Sequence, residues 1–157
     1  MAAALLTATT LSIVGLAVSV VLGHLAHAPS EVLRHVSLAV FVTMMTLLSH
    51  SMLMFYLIGK GKAVREAATA GELSGDFAAD ISNARKPVFS LAMVAITLTI
   101  MAAVIGAGVD TGALPTGFHT LLAYFAVLCN VATLRAEYVA LVTCARVVDK
   151  VNRLLGV

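Results

Sequence analysis

Four long runs of apolar residues dominate the hydrophobic pattern of this chain. They cover residues 3–23, 35–58, 88–109 and 118–143. A membrane hydrocarbon core about 30 Å thick needs about 20 apolar residues of helix, and each run meets that length. Because backbone polar groups in lipid must be satisfied within the segment itself, each run predicts one transmembrane helix.

Two short connections, residues 24–34 and 110–117, join the first run to the second and the third to the fourth. Each contains a proline and a hydroxyl residue in the pattern of a helix start and its cap: Pro29-Ser30 and Pro115-Thr116. Short connections make neighbouring helices antiparallel. The predicted fold is an all-α integral membrane protein built as an antiparallel four-helix transmembrane bundle with cytoplasmic helical extensions.

The longer connection, residues 60–86, is rich in alanine and charged residues. Gly71 and Ser74-Gly75 interrupt it, so the pattern predicts helical extensions of the second and third spans on either side of a break. Pro87 is expected to mark the point where the third span enters the membrane.

The C-terminal tail, residues 144–157, continues the helical pattern of the fourth span. Its apolar positions alternate with charges at helical spacing: Val147, Val148, Val151 and Leu155. This pattern predicts an amphipathic helix along or above the inner membrane surface, and a candidate docking element.

Composition leaves room for only one domain, residues 1–157. Of the 157 residues, 61% are hydrophobic, and the mean hydropathy is +1.02. The formal net charge of +2 is small, so nucleic-acid binding is not expected. No nucleotide-binding loop, nucleophile elbow or zinc-protease motif occurs, and we expect no independent catalytic activity.

Charge distribution predicts the orientation. Eight Lys or Arg residues lie in the long connection and the tail, and one, Arg34, lies in the short connections. The positive-inside rule therefore places both termini in the cytoplasm, as in a bacterial-type inner membrane. The first run is expected to be a retained span rather than a cleaved signal, because no Lys or Arg precedes it and it is longer than a signal core.

Small residues recur every four positions on two spans, at Gly15, Ser19 and Gly23 and at Ala102 and Gly106. Such faces let helices approach closely, either within the bundle or between copies. Cys129 and Cys144 lie about four turns apart on one predicted helix, so a disulfide between them is excluded and both are interpreted as packing residues.

Four of the five histidines lie at the predicted outer ends of the spans. These are His24, His27, His35 and His119. Imidazoles from facing helices at one depth are what haem b or a divalent metal requires. The alternative is that they lie among lipid headgroups with no ligand.

A second polar group is predicted deeper in the bundle. On the fourth span His119, Asn130 and Glu137 fall within about 20° of one another, and the second span carries His50 at a similar depth. We predict a contact between His50 and Glu137. The layer of His50, Asn130 and Glu137 is then a structural hydrogen-bonded group, a proton or quinone site, or part of a metal or haem site.

Arg135 points about 160° away from that stripe. It is expected to extend to the inner headgroups, or else to contact a lipid phosphate or a neighbouring subunit.

Three functions remain open. The first is a non-catalytic subunit of a larger or oligomeric membrane complex whose histidines hold haem or a metal for electron or proton transfer. The second is a structural or assembly protein without a cofactor. The third is a proton or ion pathway through the layer of His50 and Glu137. The expected partners are the lipid bilayer and other membrane subunits or further copies of the chain.

Overall fold

The computed structural model describes residues 1–156, which form four α-helices and no β-strand. Their bounds are Ala2–Leu25 (α1), Pro29–Ala70 (α2), Phe77–Asp110 (α3) and Thr116–Leu155 (α4). All four are long and apolar enough to span a bilayer, and each contains one of the predicted runs. The prediction of an all-helical chain with four helices long and apolar enough to cross a membrane is confirmed.

The four helices form a bundle whose centre is the contact between α2 and α4. Consecutive helices are antiparallel, as shown by Gly15 of α1 facing Val42 of α2 and Gly23 facing His35. Across the bundle, α2 packs on α4, whereas α1 and α3 do not pack on each other within the described residues. The bundle is therefore closed along one diagonal and more open along the other.

Polarity is distributed in the opposite way from a water-soluble protein. Ten polar side chains are buried, among them Thr9, Thr46 and Glu137, which have no exposed surface. In contrast, Phe55 is 72% exposed and Leu128 is 65% exposed. An apolar surface around a polar interior suits a bundle surrounded by lipid, because large exposed apolar areas are rare on soluble monomers.

The two short connections, residues 26–28 and 111–115, lie at one end of the bundle, which we call the short-loop end. Here α2 begins at Pro29 with Ala28 as its cap residue. The Glu31 carboxylate accepts the N–H groups of Ala28 at 2.9 Å and His27 at 2.8 Å. These bonds lower the pKa of the Glu31 carboxyl.

The predicted capping role of Ser30 is wrong. Pro29 occupies the first helical position and has no N–H group. The backbone N–H groups that need an acceptor are those of His27 and Ala28, and the Glu31 carboxylate accepts both. At α4 the cap residue is Pro115, so Thr116 is already helical and does not cap either.

At the opposite end, which we call the extension end, α2 and α3 continue well beyond the apolar runs. They meet at a turn over residues 71–76, which confirms the predicted break. Asp76 caps α3 by accepting the N–H of Ala79 at 3.1 Å. From there α3 runs through Pro87 without ending.

The tail is not a free amphipathic helix. Residues 144–155 continue α4, and Val147 and Val151 are buried in one apolar cluster with Val64 of α2 and Phe77 of α3. Leu155 lies so close to Gly71 that a side chain there would overlap it. The predicted continuation of the fourth span as an amphipathic helix is present, and the α2 and α3 extensions cover its apolar face. Docking of a partner by the tail stays a prediction.

A charge on that covered face should therefore destabilise the protein. Val151 is 2% exposed and Leu154 is 55% exposed. We expect Val151→Asp to lower the free energy of unfolding by about 2–4 kcal/mol, since it buries an unpaired carboxylate. Leu154→Asp is the matched control and should change it by less than about 0.5 kcal/mol. Thermal unfolding in detergent, followed by circular dichroism, measures both; equal effects would contradict the packing of the tail.

Candidate functional site

A cavity of about 300 Å³ lies between the four helices at the short-loop end. His24, Asp110 and Thr116 line its mouth, and Thr43 and Thr99 lie deepest. Most of its wall consists of small side chains: Ser19, Gly23, Ala39, Ala102, Ala103, Gly106, Ala123 and Ala126. A volume of this size is typical of small-molecule sites.

His35 of α2 and His119 of α4 both line this cavity and approach each other. Their ring centres are 6.2 Å apart, and the ring planes make an angle of 72°. Each ring is held by a carbonyl of the preceding helix: His35 Nδ1 lies 2.9 Å from the Ser19 oxygen, and His119 Nδ1 lies 3.1 Å from the Ala102 oxygen. The histidines are thus oriented by backbone, not by mobile side chains.

These bonds determine which nitrogen carries the proton. A carbonyl oxygen only accepts, so Nδ1 donates in both rings and a neutral ring keeps its lone pair on Nε2. Neither Nε2 has a hydrogen-bond partner among residues 1–156. Both histidines therefore have a free electron-pair donor within a cavity.

Each histidine also packs against a glycine backbone. A Cβ at Gly23 would lie 2.9 Å from Cε1 of His35, and a Cβ at Gly106 would lie 2.8 Å from Cε1 of His119. Both distances are too short for a normal contact, so only glycine admits the rings in these positions. The small-residue faces of the first and third spans therefore serve contacts within the bundle.

The two helical hairpins repeat this arrangement. In each hairpin a backbone carbonyl accepts the histidine N–H, a glycine follows four residues later, and the histidine lies 12 or 13 positions after the glycine. The residues are Ser19, Gly23 and His35 in one hairpin, and Ala102, Gly106 and His119 in the other. The repeat does not stand out in the sequence, because glycine and histidine are the only residue types that its two copies share. The glycine-to-histidine spacing is the signal that could have revealed it.

His24 and His27 do not join this pair. His24 Nε2 lies 2.7 Å from the Tyr124 hydroxyl, at the mouth of the cavity. His27 lies beyond the end of α1, and its Nδ1 lies 2.8 Å from the Leu25 carbonyl oxygen. Because α1 ends at Leu25, His27 lies outside the helix that carries His24.

The second predicted group forms a buried layer deeper in the bundle. His50 Nδ1 lies 2.6 Å from Glu137 Oε1, and His50 Nε2 lies 2.8 Å from Asn130 Oδ1. All three side chains have no exposed surface. The predicted contact between His50 and Glu137 is present, and Asn130 completes the layer.

Hydrogen-bond directions in the layer follow from Asn130. Its Nδ2 donates to the Ala126 carbonyl at 2.8 Å and to Thr99 Oγ1 at 3.0 Å, so its Oδ1 is the acceptor and His50 Nε2 must donate. One proton then lies between His50 Nδ1 and Glu137. Because both nitrogens of His50 are engaged, this residue is not available to ligate haem iron or a metal.

The layer and the cavity are contiguous. Thr99 and Ala126 line the cavity and also accept the two hydrogen bonds from Asn130. At the other side of the layer, Glu137 Oε2 is buried without a hydrogen-bond partner in the described part of the chain. Beyond it lies the apolar cluster that contains Leu53, Leu57 and Ala140.

The remaining candidates lie apart from these two groups. Arg135 is exposed on the surface of α4, on the side away from Glu137. Cys129 and Cys144 are free thiols. Within residues 1–156, no three His, Cys, Asp or Glu side chains gather in a way that would hold a metal ion.

Removing the amide of Asn130 should cost stability, because His50 Nε2–H would be left buried without an acceptor. We expect Asn130→Leu to lower the free energy of unfolding by about 1–3 kcal/mol. Thr133→Val is the matched control: Thr133 is equally buried but donates only to the Cys129 carbonyl of its own helix. Denaturant unfolding in detergent compares the two. A smaller loss for Asn130→Leu than for Thr133→Val would show that the layer contributes little.

No family model, curated protein sequence or solved structure matches this chain. Its function is therefore argued from the chemistry of the cavity and the layer.

Proposed function

We propose that this chain is a small membrane subunit that holds one b-type haem in the short-loop cavity and takes part in electron transfer. His35 and His119 would hold its iron. The observation that carries the proposal is the 6.2 Å between their ring centres. With metal–nitrogen bonds of about 2.0–2.1 Å, two imidazoles that bind one metal ion have ring centres at most about 6.3 Å apart.

The hydrogen bonds of the two histidines support this assignment. A metal-bound histidine nearly always donates its other N–H to a carbonyl or carboxylate, which orients the ring and selects the tautomer. The Ser19 and Ala102 carbonyls make that contact here. Both rings therefore have Nδ1 protonated and Nε2 free, which is the tautomer that ligation through Nε2 needs.

The cavity also favours haem over a bare divalent metal. Two histidines alone are a weak ligand set for a metal ion, whereas haem brings four nitrogens and needs only two more ligands. The small side chains of the cavity wall leave space for a flat ring system. When bound, haem would supply a reversible one-electron change at its iron; this chain would supply the ligands and a largely apolar wall.

The charge distribution supports a location for this site. If the long connection and the tail are cytoplasmic, the cavity opens toward the outer face of a bacterial-type inner membrane. Electrons would then pass to or from a partner on that face, either another membrane subunit or a second copy of the chain. Arg135 would contact a lipid phosphate or a neighbouring subunit.

A second candidate is a structural or assembly bundle without a cofactor. The observation that favours it is the buried layer, in which His50 and Asn130 use their hydrogen-bonding groups entirely within the chain. Such a layer specifies how α2 and α4 align. It leaves the free Nε2 atoms of His35 and His119 without a role, and we therefore rank it second.

The haem proposal predicts a reduced spectrum typical of two histidine ligands when the chain is produced with haem and purified in mild detergent. His35→Ala and His119→Ala should each abolish that spectrum, because each removes one of the two histidines that would hold the iron. His27→Ala is the control, since His27 lies in the exposed connection, and it should leave the spectrum intact. A colourless protein that does not bind added haem would reject the proposal.

The glycine contacts lead to a second test. Gly106→Ala should weaken haem binding about tenfold or more, because the added Cβ pushes against His119 and overpacking costs about 1–3 kcal/mol. Gly117→Ala is the matched control, since nothing lies within 4 Å of a Cβ at that position. Haem titration followed by absorbance measures both affinities. Equal affinities would show that the ring of His119 does not need its position against Gly106.

A further inference from the structure

We infer that His50 and Glu137 form a proton-binding site that takes up one proton when the haem iron is reduced and releases it when the iron is oxidised. This inference rests on the function proposed above. An external one-electron donor supplies the electron, and water supplies the proton. Reduction thus converts the ferric iron to ferrous and the unprotonated pair to the protonated one.

The geometry of the pair limits it to one exchangeable proton. His50 Nε2 donates to Asn130 Oδ1 and keeps its proton. The proton between Nδ1 and Oε1, which are 2.6 Å apart, is the one that remains. With it the pair is neutral overall; without it a carboxylate and a nitrogen lone pair face each other in a buried site, with net charge −1.

Few other charges influence the pair. The α1 helix has no ionisable side chain except His24 at its far end, and α3 has none between Lys86 and Asp110. On α2 the nearest charged groups along the chain are Arg34 and Lys60, and on α4 Arg135 lies on the exposed side. The buried thiol of Cys144 lies two turns of α4 beyond Glu137. The charge of a group in the cavity is therefore the main variable that the pair can sense.

Because the cavity and the layer are contiguous, a charge in the cavity acts strongly on the pair. Thr99 lines the cavity and accepts a hydrogen bond from Asn130, and Asn130 accepts one from His50. Coulomb interactions decay slowly in a buried, water-poor region. Loss of one positive charge in the cavity then favours the neutral, protonated pair, and its return favours the anionic pair.

Glu137, and not Asn130, is the partner of His50 that can exchange the proton. The amide hydrogens of Asn130 are not acidic, so the bonds through Thr99 and Asn130 position His50 but pass no proton. Glu137 Oε2 is the one buried side-chain oxygen or nitrogen in residues 1–156 without a hydrogen-bond partner. A buried carboxylate oxygen of this kind is satisfied by a proton or a water molecule.

The test is a redox titration of the haem-loaded full chain over about pH 5 to 9. We expect the midpoint potential to fall as pH rises, with a slope of up to about 59 mV per pH unit for one proton per electron. Glu137→Gln should bind haem with the same spectrum and lose that slope. Glu66→Gln, which alters an exposed carboxylate at the extension end away from the cavity, should keep it.

A second measurement covers the case in which Glu137→Gln does not fold. The infrared difference between reduced and oxidised unsubstituted protein should contain a band from a carboxyl or imidazole group that changes protonation. A midpoint independent of pH, a slope unchanged in Glu137→Gln, or a slope abolished in Glu66→Gln instead would overturn the inference and leave the haem proposal standing. Failure to bind haem would reject both.

Discussion

The hydrogen bond between His50 and Glu137 is the interaction on which the rest of the bundle depends. An ionisable side chain at the centre of a membrane helix costs about 2.5–3.5 kcal/mol on insertion scales unless it finds a partner. Because the two residues belong to α2 and α4, satisfying this requirement brings those helices together across the bundle. Asn130 and Thr99 extend the same layer to α3.

Closing one diagonal of a four-helix bundle leaves space along the other. Above the layer, toward the short loops, α1 and α3 present glycine, alanine and serine rather than large side chains, and the cavity lies there. The glycines have a further effect, because they let His35 and His119 approach the backbone of the preceding helix. Packing in this part of the bundle thus produces both the space and the orientation of its two donors.

The extension end has a different role. There the apolar face of the tail packs with the α2 and α3 extensions into a cluster of ordinary core residues, and Lys150 lies 5.3 Å from the ring centre of Phe77. This cluster continues directly to the buried pair through Leu53, Leu57 and Ala140. The layer therefore lies between an apolar core on one side and the cavity on the other.

Several features could be predicted from residue spacing alone. Run length determines the four spans, and helical periodicity together with depth determines that His50 and Glu137 face each other. The same reasoning identifies His35 and His119 as candidates but groups them with His24 and His27, since all four lie at similar depth. Periodicity and depth are read from each helix separately. They are sufficient to find the apolar runs and the polar face of each helix.

Only the tertiary structure decides which candidates converge and what they touch. Helix ends and partners far away in the chain decide three of these features. His27 lies outside α1, the apolar face of the tail is covered, and both ring nitrogens of His50 are hydrogen-bonded. The repeated contact of carbonyl, glycine and histidine is likewise a relation between helices. Sequence determined the spans and the faces of the helices because hydrophobicity and helical period act locally, whereas the cavity and its two free nitrogens arise from packing between helices that no local pattern encodes.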